Sequence, residues 1–220
     1  MRKFIAASLI ALSIVSFALL ACVSGSPAKV VAETEKPLTP RPTSNATRAE
    51  PMSRETIPEQ SPLKLPLVNP KLVVSKSARQ LSLYSDGRVV RTYKIALGTN
   101  PVDDKVRQGD RATPEGDFYV CVKNARSNFY LSLGLSYPNI EDAERGLRDK
   151  LISRAQRDAI VRAIQNKRRP PWDTALGGEI FIHGGGTDGD WTWGCVALAN
   201  SDIKELFDAV PMGASVRIEH

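Results

Sequence analysis

Two side chains in this sequence have the types and spacing for covalent chemistry. His183 ends the apolar run Ile180-Phe181-Ile182, and Cys195 follows it by twelve positions inside Thr192-Trp193-Gly194-Cys195-Val196. A free thiol titrates near pH ~8.5 and is mostly protonated at neutrality, so it attacks a carbonyl well only beside a base or a positive charge. The other histidine, His220, is the last residue of the sequence, which leaves His183 as the candidate base. Gly194 is expected to let backbone approach a substrate closely, with peptide N–H groups beside it holding a developing oxyanion. The competing reading is a packed cysteine and a hydrogen-bonded histidine at a strand end. A metal site is not expected. One histidine and one cysteine give two soft ligands, Asp188 and Asp190 add only oxygens, and zinc sites usually take about three or four protein ligands.

The flanking sequence supplies elements to hold such a pair. Lys71–Ser75 and Gln80–Tyr84 alternate apolar and polar residues and read as strands, and Asp86-Gly87 is a favoured hairpin pair before a partner strand over Val89–Leu97. A polar loop from Gly98 to Arg111 leads to the turn Thr113-Pro114-Glu115-Gly116 and a strand over Phe118–Val122. The period then changes. Ile140, Ala143, Leu147 and Leu151 recur at helical spacing, and Ser153-Arg154-Ala155-Gln156 resembles a capping box opening a second helix to about Ile164. Ile180–Ile182 reads as a buried strand delivering His183. Asn200-Ser201-Asp202 is expected to cap a short helix with Leu206 and Phe207 inward, and Val216 and Ile218 mark a last strand. The expected class is mainly β with a helical insertion, as a sandwich or barrel.

Composition bounds the setting. Met1-Arg2-Lys3 precedes an apolar run from Phe4 to Leu20, the pattern of an export signal. The run ends in Leu19-Leu20-Ala21-Cys22, which resembles a bacterial lipobox with Cys22 as the lipidated residue; an ordinary signal peptide cut near Ala21 and an uncleaved anchor are the alternatives. Each of these exports the chain, and a diacylated cysteine would tie it to a membrane. Residues 1–21 are therefore read as a signal. Residues 22–69, crowded with Pro, Ser, Thr, Glu and Lys, are read as an extended tether, and 70–220 as one folded domain. Net charge is +6 with a pI near 9.3, which suits an acidic polymer or anionic lipid, and no basic-aromatic motif calls for nucleic acid. With Cys22 at the signal boundary and Cys121 at a strand position, Cys195 is left as an unpaired thiol, a Cys121–Cys195 disulfide being the alternative.

Three motifs in order carry a family resemblance: Gly109-Asp110-Arg111-Ala112-Thr113-Pro114-Glu115-Gly116-Asp117-Phe118, then Ser136-Tyr137-Pro138-Asn139, then Ile182-His183-Gly184 with Thr192-Trp193-Gly194-Cys195-Val196-Ala197-Leu198. Residues 70–220 thereby resemble a YkuD-type L,D-transpeptidase catalytic domain, in the branch that includes a lipoprotein-detaching murein amidase. The resemblance implies Cys195 as nucleophile, His183 as proton acceptor and donor, and the Gly184 carbonyl as orienter of the imidazole. It implies an oxyanion site at the Gly194 and Cys195 amides supported by Thr192, with Tyr137, Trp193 and Arg111 or Arg126 meeting substrate. No cofactor is implied. The implied substrate is a peptidoglycan stem peptide, cleaved before its terminal D-alanine on the periplasmic side of a bacterial membrane, with the acyl group passed to an amine or to water. This sequence departs from the pattern at Trp193, where the family often has histidine, at Ala197, where it often has arginine, and in a shorter loop after His183. These departures leave open an amidase or endopeptidase, and a wall-binding lipoprotein without turnover.

Overall fold

Alternation of apolar and polar side chains dictates the first strands of the computed structural model, which describes residues 61–220. In β1 (Lys71–Ser75) Leu72 and Val74 point inward, and in β2 (Gln80–Ser85) Leu81 and Leu83 do so, all four fully buried. Each such burial contributes roughly 1.5–3 kcal/mol. Asp86 and Gly87 both have positive φ (48° and 72°), which matches the twist of a two-residue hairpin turn into β3 (Arg88–Lys94). The sequence-based signal, the lipobox at Cys22 and most of the tether lie outside the described residues. The last part of that tether is packed: Leu63 and Leu67 lie against the core, so the folded segment begins before residue 70.

The later strands are β4 (Gly116–Ser127), β5 (Tyr130–Leu135), β6 (Phe181–His183), β7 (Val196–Ala197) and β8 (Ser215–Glu219). One sheet runs β3-β2-β1-β8-β4-β5-β6-β7, with β8 parallel to β1 and antiparallel to β4. Ala96, just beyond β3, exchanges both backbone bonds with Ala197 (2.9 and 2.8 Å). That bridge joins the two ends of the strand order and closes the sheet on itself, as expected for a barrel.

Helices α1 (Ile140–Arg148) and α2 (Arg154–Gln165) form the expected insertion. Each starts with a reciprocal capping box, Asn139 with Asp142 and Ser153 with Gln156. They bury a small core of their own from Ala143, Ile152, Ile160 and Leu176. Leu151 lies past the end of α1 rather than on it. The helix α3 (Asn200–Ala209) is capped by Ala199 with no side-chain bond, contrary to the capping expected of the Asn200 cluster. Among the described residues no helix is long and apolar enough to cross a membrane.

Candidate active site

His183 closes β6, a strand paired on both sides, and is buried at 3% exposure. Nδ1 lies 2.6 Å from the Gly184 carbonyl oxygen. A carbonyl only accepts, so the proton sits on Nδ1 and Nε2 is left as the acceptor. Gly184 has no room for a side chain: a Cβ there would meet Asn200 Oδ1 at 2.4 Å and the Phe129 carbonyl at 2.8 Å. Burial lowers the proton affinity of the imidazole, and the bond to Gly184 opposes that shift. The resting base is therefore neutral at neutral pH.

Cys195 precedes β7. Ile182 pairs with Val196 and His183 with Ala197, so the register continues to Cys195 opposite Phe181, on the face that also carries His183. Both side chains line one groove of about 350 Å³. The sulfur accepts from the Phe181 N–H (3.4 Å) and its S–H faces the Glu179 carbonyl (3.6 Å), which a left-handed Glu179 (φ 56°) aims at it. No hydrogen bond joins Sγ to the imidazole among the described residues, so proton transfer requires the thiol to turn from Glu179. Burial pushes the thiol up to about 11, against a smaller opposite pull from the Phe181 N–H. Cys195 and Cys121 are both free thiols.

The turn before Cys195 is held by Thr192. Its hydroxyl donates to the Cys195 carbonyl (2.7 Å) and accepts from the Gly194 N–H (3.1 Å). The Gly194 amide, expected to help hold an oxyanion, is engaged inside the turn; the Cys195 N–H has no such partner among the described residues. Gly194 is required for a different reason from the one expected. Its φ is 116°, and a Cβ there would lie 2.6 Å from the Ala112 carbonyl, so it serves close backbone packing rather than substrate approach. The loop from His183 is pinned by Asp190, which accepts from the Leu97 N–H (2.8 Å) and from Arg79 Nε and Nη2 (3.0 and 2.8 Å).

Other expected contacts fall elsewhere. Tyr137 is fully buried, with its hydroxyl donating to the Leu176 carbonyl (3.1 Å), so it cannot meet substrate. Arg111 stacks on Trp193 at 5.0 Å, and neither lines the groove, although Trp193 is 70% exposed. The groove instead takes Asn124, Arg126, Ser127 and Phe129 from the β4–β5 hairpin, with Glu179 and Phe181. Of these only Arg126 was singled out from sequence. The turn signal Ser127-Asn128 between two strand-like runs marks the hairpin that carries Asn124, Ser127 and Phe129. Arg126 forms no ion pair among the described residues. No three His, Cys, Asp or Glu side chains among the described residues come together as a metal site.

A family model described as the L,D-transpeptidase catalytic domain, YkuD, matches residues 69–218, more than half of the chain. Among solved structures, the helical cell shape determining protein Pgp2 from Campylobacter jejuni is 23% identical with a TM-score of 0.49; the match covers 69% of this chain and 47% of that one. Bd1075 of Bdellovibrio bacteriovorus is 19% identical with a TM-score of 0.46, over 70% of this chain and 48% of that one. An L,D-transpeptidase from Xylanimonas cellulosilytica is 17% identical with a TM-score of 0.43, over 72% and 64% respectively. The chain thus spans about half the length of the first two. No curated protein matches it.

Proposed function

The chain belongs to the YkuD family of L,D-transpeptidase catalytic domains, and on that premise we propose that it is a cysteine acyltransferase acting on peptidoglycan stem peptides. The observation that carries this reading is the single groove lined by Cys195 and by His183, whose Nδ1 is committed to the Gly184 carbonyl. Cys195 gives its proton to His183 Nε2 as its sulfur bonds to the carbonyl carbon before the terminal D-alanine. The Cys195 N–H supports the oxyanion. Collapse breaks the C–N bond, the imidazolium protonates the departing D-alanine amine, and a thioester remains. An amine of a second stem then attacks it, losing a proton to His183 and restoring the thiol. Both resting groups are neutral, so the proton moves from sulfur to imidazole as the sulfur attacks.

Arg126 is the cation of the groove lining and takes a carboxylate of the donor peptide, since Arg111 does not line the groove. The protein acts after export, tethered through Cys22 and the proline-rich segment, on the periplasmic face of a membrane. A wall-binding role without turnover is favoured by one observation, the thiol turned toward Glu179. Incubation with tetrapeptide stems, followed by mass spectrometry, separates the readings. D-alanine release that is lost in Cys195→Ala supports catalysis. A dimer formed with an acceptor amine marks transfer, and a free carboxylate marks hydrolysis. No release, together with no carbapenem adduct on Cys195, would leave only the binding role.

A further inference from the structure

One hydrogen bond does not fix an imidazole. The contact from Nδ1 to Gly184 ties one edge of the ring, and what packs on the faces of the ring limits its remaining rotation about χ1 and χ2, which sets the direction of Nε2. The plane is set by two aromatic rings. Phe129 stacks on His183 with centroids 4.5 Å apart at 26°, and Trp191 meets it edge-on at 5.6 Å and 66°; Phe129 and Trp191 are themselves 5.5 Å apart. Neither ring belongs to the main hydrophobic cluster, and Phe129 is 45% exposed, so core packing does not explain their placement.

Both rings are held from behind. The Phe129 carbonyl accepts the Gly184 N–H (3.1 Å), and its tight turn between paired Ser127 and Tyr130 is completed by a left-handed Tyr130 (φ 73°). Trp191 Nε1 donates to the Gly186 carbonyl (3.2 Å), and the neighbouring Asp190 is tied to Arg79 and to the Leu97 amide. Gly185 lies between the rings with φ 111°, and a Cβ there would sit 3.2 Å from Trp191 and 3.6 Å from Phe129.

We propose that Phe129 and Trp191 are positioning residues that form a slot around His183, fixing its plane and shielding it so that Nε2 is presented to the groove. This rests on the reading of His183 as the base for Cys195. The charged or titratable groups sharing the groove with His183 are Cys195, Arg126 and Glu179, and none is bonded to it; Asp190, on the loop carrying Trp191, is committed to Arg79 and Leu97. Burial depresses the proton affinity of the imidazole, and the two rings are part of what covers it.

The test is an NMR titration of the His183 ring in the full chain, which needs no substrate, alongside steady-state D-alanine release. In Phe129→Ala the ring titrates closer to an ordinary histidine, near ~6.5, and kcat falls about 10- to 100-fold with little change in KM, as expected of a misaimed base. Phe129→Tyr restores both, and Trp191→Phe gives a smaller shift in the same direction. A His183 titration in Phe129→Ala and Trp191→Phe identical to that of the parent overturns the slot. So does a loss carried by KM alone, which would make Phe129 a substrate contact. If the parent releases no D-alanine, the proposed function fails while the titration still decides the slot.

Discussion

Thr192→Val exchanges a hydroxyl for a methyl at nearly constant shape and isolates what the turn before Cys195 owes to one oxygen. The threonine is buried at 3% exposure and its hydroxyl makes two bonds, to the Cys195 carbonyl and from the Gly194 N–H. A typical hydrogen bond contributes about 1 kcal/mol net, and a buried N–H left without a partner costs about 1–3 kcal/mol, giving a loss of about 2–4 kcal/mol. With a urea slope of about 2 kcal/mol per molar, the unfolding midpoint falls by about 1–2 M. Thr192→Ser keeps the oxygen and loses much less. The assay pairs urea unfolding with the rate of Cys195 alkylation, since a loosened turn also changes the environment of the sulfur. A valine variant within about 0.5 kcal/mol of the parent and with the same alkylation rate would refute the assignment of Thr192 as the brace of the nucleophile turn.

Gly194→Ala forces a side chain into φ 116° and to 2.6 Å from the Ala112 carbonyl, so a loss of at least about 2–3 kcal/mol is expected in thermal or urea unfolding; an unchanged midpoint would contradict the packing. Because burial pushes the Cys195 thiol up to about 11, its alkylation by a neutral reagent should climb about tenfold per pH unit through pH ~9–10, and a plateau at pH ~6–8 would reveal a preformed thiolate. Stability should follow the same groups. The raised thiol makes the unfolded chain lose protons first as pH rises past its ordinary thiol range, so stability falls there; the depressed His183 makes the unfolded chain gain protons first below pH ~6.5, so stability also falls on that side, as pH-dependent melts will show.

The elements legible in the sequence were those whose local pattern and burial agree. The β1–β2–β3 hairpins, the capping boxes of α1 and α2, and the strand ending in His183 all show this agreement between local and global preference. Strand β5 was not legible because its fit is tertiary: Ser132 and Gly134 are poor strand formers, yet a Cβ at Gly134 would meet the Phe181 ring at 2.9 Å. Tyr137 illustrates the opposite error, an aromatic in a family motif that serves the core through its hydroxyl on Leu176. Local logic makes Asn200 a helix cap, but its Oδ1 accepts the Gly185 N–H (3.0 Å), a partner fifteen positions away that only the fold brings near. Phe129 and Trp191 carry no motif at all. Their place beside His183 depends on a turn, a loop and a strand end converging.

The position of β8 has a consequence for how the molecule is made. Residues 215–219 lie between β1 and β4, so the first hairpins and the half of the sheet carrying His183 share no strand-to-strand bonds across that seam until the final strand inserts. That seam pairs Lys71–Ser75 with Ser215–Glu219, residues far apart in the sequence, and such long-range pairing is intrinsically slow to form.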